Sequence, residues 1–372
     1  MTPRPRAAIV HDYLNQPGGA ERVVLEMAKI WPEAPIYTSI YRPNSTFSGL
    51  DPTRVRTSFL DRLPVDRRFR ALLPLYPLAF HSLGRIDADL VICSSSGWAH
   101  GVRTAADSTQ VVYCHTPARW LYQPGRYVRR VPAREVLRPV FAPLRAWDRR
   151  AARRADRYIA NSQGVRKRIQ EVYGIDANVV HPPVDVERFE AKPRGTRLLV
   201  VSRLLPYKRI DLIVEAATQL GRGLDVVGGG PELERLRALA GPTVEFHGRL
   251  RDVEVEELME ACDAYCLPGS EDFGISAVEG NAAGKPVLAY ASGGALETLI
   301  DGVTGVFFRE PTVSAVVDAL RRLDELSTSP RAIADAAQRF SPREFRHRLE
   351  AAVTGTEGAA SSDRDHTRGD FA

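Results

Sequence analysis

The sequence predicts an α/β protein built from two doubly wound halves, each around a parallel sheet. Two observations carry that expectation. Short apolar runs that end in small or polar loops alternate with segments of helical periodicity, as strand–helix–strand units require. Near the middle, HPPVDVERFE at 181–190 has neither periodicity and reads as a linker, dividing 372 residues into two parts of domain size.

The first half opens with a strand candidate, Ala7 to Val10, followed by the loop HDYLNQPGGAE. A helix then places Val24, Met27, Ala28 and Trp31 at i, i+3, i+4 and i+7. A second strand candidate, Leu90 to Cys93, ends in Ser94, Ser95, Ser96 and Gly97, and a third, Gln110 to Tyr113, runs into CHTP. In a parallel sheet, ligands gather beyond the carboxyl ends of such strands. The second half repeats the pattern with strand candidates at Leu198 to Val201, Leu224 to Val227, Ala264 to Leu267 and Val287 to Tyr290. The expected division is a first domain over 1–180, a linker over 181–194 and a second domain over 195–355. Residues 356–372 lack apolar periodicity and read as a disordered tail.

A composition of 44% hydrophobic and 26% charged residues suits a globular chain and excludes a fibrous or wholly disordered one. No run approaches the roughly 18 apolar residues of a spanning helix. The start, MTPRPRAAIVHDYL, lacks the apolar region of a secretory signal, so a cytoplasmic location is expected. Cys93, Cys114, Cys262 and Cys266 are too scattered for a disulfide framework and read as reduced core residues. The net charge of +5 is uneven: residues 1–190 hold 29 basic against 18 acidic side chains, leaving 22 against 28 for the remainder. Residues 119–157 alone carry 12 arginines against three acids, interleaved with Trp120, Tyr122, Tyr127, Phe141 and Trp147. With 53–70, this stretch is expected to face an anionic membrane surface, the alternative being a solvated arginine-rich face; Phe59, Leu60, Leu63 and Trp120 either add shallow insertion or belong to the core. No nucleic-acid recognition motif accompanies the charge, so no nucleic-acid partner is expected.

The strongest chemical signal is SRLLPYKRIDLIVEAATQL at 202–220, where Ile210, Ile213, Val214 and Ala217 form a helical stripe. Arg203, Lys208 and Arg209 precede or open that helix, where cations oppose the macrodipole. A bound diphosphate would reverse the sign, held by Arg203, Lys208 and backbone N–H groups. The second signal is SEDFGISAVEGNAAGKPVLAY at 270–290. Its Phe273, Gly274, Ile275 turn can aim successive N–H groups at a phosphate, and Glu271 and Glu279 on either side can accept hydrogen bonds from sugar hydroxyls. His115 sits where the third strand ends, and His11 and Asp12 in the first loop can approach an acceptor. The two DxD-like stretches, Asp87-Ala88-Asp89 and Asp363-Arg364-Asp365, read as solvated acids, so no metal is expected.

Together SRLLPYKRIDLIVEA, VVGGGPELERL, FHGRL, PGSEDFGISAVEGNAAGKPVLAYASGGALETL and DGVTGVFF resemble the successive signatures of glycosyltransferase family 4. HDYLNQPGGAERVV, VVYCHTPARWLY and ANSQGVRKRI extend the likeness into the first half, most similar to bacterial mannosyltransferases of O-antigen or other surface-polysaccharide assembly. The resemblance implies the GT-B fold and a retaining transferase that moves a hexose, mannose from GDP-mannose being favoured, to a lipid-linked or saccharide acceptor without a metal. It implies further that Arg203 and Lys208 hold the donor diphosphate while Glu279 takes the ribose hydroxyls. Glu271 would face the donor sugar, with the Phe273, Gly274, Ile275 and Ser276 backbone beside sugar and phosphate. Gly18 and Gly19 would lie under the diphosphate, and His115 beside the reacting sugar, where a contact to a sugar hydroxyl is favoured over a general base. Arg249 and Leu250 would approach the base. The expected location becomes the inner face of the plasma membrane, bound peripherally. A non-catalytic nucleotide-sugar scaffold and a GT-B epimerase are the alternatives.

Overall fold

The structure is a computed structural model and describes residues 5–63, 72, 74–122 and 138–355. The described residues form two compact units. The first comprises the chain up to Asn161, Val165–Val180 and the residues from Phe345 onward; the second comprises Ser162–Gly164 and His181–Glu344.

In the first unit the strands are β1 (Ala7–His11), β2 (Ile36–Thr38), β3 (Val55–Thr57), β4 (Arg85–Ile86), β5 (Leu90–Ser95), β6 (Arg103–Thr104), β7 (Thr109–Cys114), β8 (Arg157–Ala160) and β9 (Asn178–Val179). Seven form a parallel sheet in the order β3-β2-β1-β5-β7-β8-β9, and β4 pairs with β6. Alternation along the central strands sends Ala8, Val10, Val91, Cys93, Val112 and Cys114 into one core. Ile9, Ile92, Val111 and Tyr113 enter the core on the opposite face. A sheet covered on both faces explains why these strands read as unbroken apolar runs. The expected first helix spans Gly19–Ile30, and Trp31 of its expected stripe is the residue that ends it. There the Arg54 guanidinium donates to the Trp31 and Ala34 carbonyls at 2.8–3.0 Å, satisfying groups that the helix end leaves open.

The second unit contains β10 (Arg197–Val201), β11 (Gly223–Val227), β12 (Val244–Gly248), β13 (Ala264–Leu267), β14 (Val287–Tyr290) and β15 (Gly305–Phe308). They form a parallel sheet in the order β12-β11-β10-β13-β14-β15. The same period of two operates: Leu198, Val200, Leu224, Val226 and Cys266 face one core. Leu199, Val227, Tyr265, Leu267 and Ala289 face the other. Both units are therefore α/β with doubly wound parallel sheets.

Two stretches differ from the linear division expected along the chain. The helix Pro342–Thr354 sends Phe345, Leu349, Ala352 and Val353 into the first unit's core, with Phe345 edge-on to Tyr113 at 5.8 Å. Arg346 pairs with the buried Glu26, and the Arg157 guanidinium donates to the Val353 carbonyl at 2.9 Å. The apolar side of this helix has its counterpart on the first unit, so residues from Phe345 join it. The proline-rich stretch, in turn, is no free connector: Val184, Val186 and Phe189 are buried in the second unit's core. The expected tail at 356–372 lies outside the described residues.

Deleting the Phe345 ring tests this assignment. Phe345→Ala should destabilise the first unit by about 3–5 kcal/mol, as removal of a buried aromatic ring does. Urea unfolding followed by tyrosine and tryptophan fluorescence should show that loss; an unchanged midpoint would mean that the helix does not pack there.

Candidate functional site

In each sheet the strand order reverses once near the middle, between β1 and β5 and between β10 and β13. Loops diverge at such a reversal and leave a crevice beyond the carboxyl ends of the strands.

In the second unit the two chemical motifs issue from the two strands at the reversal. After β10 the chain makes a tight turn over Pro206–Lys208, and the helix Ile210–Leu220 begins only at Ile210. Lys208 therefore precedes the helix, and Arg209 occupies its N-cap with φ 51° and ψ 35°. That left-handed backbone is unusual for a residue with a side chain and costs about 1–2 kcal/mol. The Arg209 guanidinium turns to Asp211 at 3.3 Å and to the Pro311 carbonyl at 3.4 Å, while Arg203 is exposed. After β13 comes the segment containing Glu271, Phe273 and Gly274. Gly274 adopts φ 86°, a conformation open to glycine, and forms the N-cap of the helix Ile275–Ala282, to which no side chain supplies a cap. The first-turn N–H groups of Ile275 and Ser276 lie at the positive end of that helix, the position that favours an anion. The Ser276 hydroxyl bonds to Tyr265, whose own hydroxyl donates to the Val201 carbonyl at 3.1 Å.

The Lys208 ammonium is paired with the Glu271 carboxylate. The sequence assigns these groups separate partners, phosphate and sugar; the structure brings them together as a half-buried ion pair. Glu279 faces Arg188 at 3.6 Å, and the Arg188 guanidinium stacks on Phe189 at 4.5 Å. Arg188 was missed because its segment reads as a linker. Arg249 is exposed and Leu250 half-buried, both just beyond β12. The Phe273 ring is buried, which leaves its backbone as the part that borders the turn.

In the first unit, Gly18 is the N-cap of the helix that Gly19 opens, again with no side-chain cap. Glu21 in its first turn is buried; loss of solvation raises its pKa, opposed by the charge of His11. His11 is the last residue of β1 rather than part of the loop, and its Nδ1 lies 3.0 Å from both the carbonyl and the hydroxyl of Ser94. The same hydroxyl reaches His115 Nε2 at 2.8 Å, so Ser94 links two imidazoles whose centroids are 6.4 Å apart. Ser94 carries no motif signal beyond its place at a strand end. Burial, then the neighbouring His11, push the His115 pKa down to about 3. Asp12 is buried and turned to the backbone beyond β5: its Oδ1 accepts the N–H groups of Trp98 at 2.9 Å and Ala99 at 2.8 Å, and its Oδ2 the Ser96 N–H at 2.5 Å.

Among the described residues, Asp225, Glu245 and His247 form a group with metal-like spacing. Arg197 already occupies it, donating to both Asp225 oxygens at 2.9 and 3.1 Å and lying 3.1 Å from Glu245. Burial works against the charge on Asp225, yet Arg197 and His247 hold its pKa below the ordinary carboxylate range. This is an ion-pair network built around Arg197. Asp87 and Asp89 both pair with Arg6 and are exposed, and the buried Cys262 thiol is pushed up to about 12 by loss of solvation, unsuited to a metal-binding thiolate.

Residues 17–188 match the model for Glycosyltransferase Family 4 and residues 185–340 the model for glycosyl transferases group 1. The D-inositol 3-phosphate glycosyltransferase of Mycobacterium leprae is 32% identical over 225 residues, 52% of this chain and 53% of that protein. A GDP-mannose-dependent α-(1-6)-phosphatidylinositol monomannoside mannosyltransferase of Mycolicibacterium smegmatis is 32% identical over 238 residues, 53% of this chain and 62% of that protein. The chain thus spans about half the length of the curated relatives it matches. Among solved structures, HepE of Anabaena in complex with UDP superposes with a TM-score of 0.67 at 19% identity, covering 94% of this chain and 100% of that one. The lipopolysaccharide outer core galactosyltransferase WaaB gives 0.68 at 16% identity, covering 94% and 99%. These likenesses place the fold in the GT-B class.

The environment of His115 makes a signed prediction. With its pKa near 3, the folded protein keeps this imidazole neutral, whereas the unfolded chain protonates it near ~6.5. The group therefore lowers stability as pH falls through the window from about 6.5 to about 3. Its ring signals in heteronuclear NMR should not titrate between pH 8 and 5; a midpoint inside that range would contradict the placement.

Proposed function

We propose that this chain, which matches the Glycosyltransferase Family 4 model over 17–188 and the glycosyl transferases group 1 model over 185–340, is a glycosyltransferase that transfers a hexose, with mannose from GDP-mannose favoured, to a lipid-linked or saccharide acceptor in cell-surface glycan synthesis. One observation carries the reading: Lys208 and Glu271 meet between the loops that leave β10 and β13, beside the uncapped first turn of Ile275–Ala282. A cation, a carboxylate and a ring of N–H donors are what a sugar bonded to a diphosphate requires.

In this reading Arg203, Lys208 and the N–H groups at Gly274 to Ser276 take the negative charge that builds on the departing diphosphate, and Glu279 takes the ribose hydroxyls. Preorganised donors in a water-poor cleft stabilise such charge where a divalent ion would otherwise serve, so the reaction is proposed to need no metal. As the diphosphate binds, Lys208 is shared between it and Glu271, and Glu271 turns its other oxygen to the sugar hydroxyls. The bond from C1 to the phosphate oxygen breaks with its electron pair on the diphosphate. The acceptor oxygen bonds to C1 on the same face, and its proton passes to the departing phosphate oxygen, so the configuration at C1 is retained. Neutral His115 holds a sugar hydroxyl, Gly18 and Gly19 lie under the diphosphate, and Arg249 and Leu250 border the base.

Arg203→Ala and Lys208→Ala should each lower kcat/KM by on the order of 100-fold, the cost of one preorganised electrostatic donor. A panel of GDP-, UDP- and ADP-sugars identifies the donor in the same assay, run with and without excess EDTA. Near-native turnover in both variants would remove the phosphate assignment, and activity abolished by EDTA and restored by magnesium would remove the metal-free one.

The acceptor is proposed to be reached from an anionic membrane. Among the described residues no helix is long and apolar enough to cross one. Of the basic segments, Arg149, Arg150 and Arg153 are exposed, Arg149 also donating to the Val172 carbonyl at 3.2 Å, whereas the guanidinium groups of Arg54, Arg145 and Arg157 are taken up by backbone carbonyls of the first unit. Phe59 and Leu63 are exposed, but Leu60 is buried and Trp120 packs edge-on to Trp98 at 5.3 Å. Arg67, Arg68, Arg70 and residues 123–137 lie outside the described residues. Each exposed arginine near anionic headgroups contributes about 1 kcal/mol. Cosedimentation with phosphatidylglycerol liposomes should therefore fall with salt and when Arg149, Arg150 and Arg153 become glutamate; equal binding to neutral liposomes would refute an electrostatic attachment.

A further inference from the structure

The Phe273 ring beneath the candidate diphosphate turn is held by a relay that ends on a carboxylate of the short helix Ala295–Thr298. His181 stacks on Phe273 with centroids 5.3 Å apart and planes 29° apart, and Phe340 closes the group edge-on to both rings at 5.4 Å. His181 Nε2 lies 3.0 Å from Glu297 Oε2. The Glu297 carboxylate also accepts the Gln163 N–H, at 2.8 Å on Oε2, and the Gly164 N–H at 3.4 Å. Both it and His181 are largely buried, with side-chain exposures of 13% and 22%.

The backbone around Glu297 grips the same turn from its other side. The Gly294 N–H donates to the Glu271 carbonyl at 2.8 Å, and Gly293 forms a bridge with Glu271. A Cβ on Gly294 would fall 2.2 Å from the Phe273 Cα, so this approach requires glycine. Arg339, stacked on Phe340 at 4.7 Å, donates to the Glu297 and Thr298 carbonyls at 3.4 and 3.1 Å. Glu271 and Phe273 are thus fixed by 293–297 directly through the backbone and indirectly through His181.

We infer that Glu297 and His181 are positioning residues for the donor: they hold the Phe273 ring, and with it the backbone of Gly274 to Ser276, in the conformation that receives a nucleoside diphosphate. Neither side chain touches the diphosphate. The inference rests on the proposed donor site. Its physical content is that a loop whose N–H groups must converge on one anion loses affinity when its anchor is released, because ordering the loop then opposes binding.

The test is calorimetric titration of the full-length protein with GDP, and with UDP in parallel, joined to steady-state kinetics with the matching nucleotide sugar. Glu297→Ala and His181→Ala should each weaken diphosphate binding about 10-fold and raise KM by a similar factor with kcat changed less than about 3-fold. Glu297→Gln, whose amide oxygen still accepts the N–H groups, should recover most of the affinity, and His181→Phe, which retains the stack, should lie between wild type and His181→Ala. The double alanine variant should bind no more weakly than the weaker single one, since both act through Phe273. Additive losses, or singles that bind as wild type does while Lys208→Ala binds poorly, would overturn the positioning role and leave the donor site standing. Absence of saturable binding of either nucleotide to the wild type would overturn the donor site itself.

Discussion

The Lys208–Glu271 pair and the His11–Ser94–His115 group hang on one constraint, the reversal of strand order in each parallel sheet. Parallel strands need crossovers on both faces, which bury the sheet and leave its polar business to the loops at the carboxyl ends. In the second unit the reversal falls between β10 and β13, and the loops that leave these strands carry Lys208 and Glu271. In the first unit it falls between β1 and β5, where His11 ends β1 and Ser94, one residue from the end of β5, reaches His115 beyond β7. Reactive side chains far apart in sequence are gathered because the sheets leave them no other common edge.

Charge balance follows from that placement. A half-buried lysine without a counterion would be costly, and Glu271 supplies the counterion. A diphosphate must compete for the same ammonium, so the site has an internal partner that a ligand displaces or shares. Elsewhere too the fold pairs its buried charges across elements, as with Arg197 on Asp225 and Arg346 on Glu26. Lys208 differs because its pair lies at the reversal, beside a helix end with no side-chain cap.

Much of this was legible in the sequence. The central strands could be read because strands covered on both faces are unbroken apolar runs, and Ala264–Leu267 and Val287–Tyr290 emerge with the bounds expected of them. Short edge strands such as Val55–Thr57, and half-exposed ones such as Val244–Gly248, carry no such signal. Lys208, Glu271 and Gly274 announced themselves by residue type and spacing, but the ion pair between the first two depends on register across the sheet, which no local pattern encodes. Asp12 was misplaced for a related reason: a carboxylate in a loop looks available until the N–H groups it accepts, from Trp98 and Ala99, are known. Likewise Arg188 and His181 were hidden in a proline-rich stretch whose Val184, Val186 and Phe189 are core residues. For the helix Pro342–Thr354, only the complementary surface tells which unit buries its apolar side.

The central claim is that a nucleoside diphosphate sits where the loops after β10 and β13 converge. Hydrogen exchange read by mass spectrometry, on the full-length protein with and without saturating GDP or UDP, addresses it most directly. The account predicts slower amide exchange at 203–209 and 274–277, the segments that hold Lys208 and the uncapped helix turn. Saturable binding that protects other segments and leaves these two unchanged would contradict it.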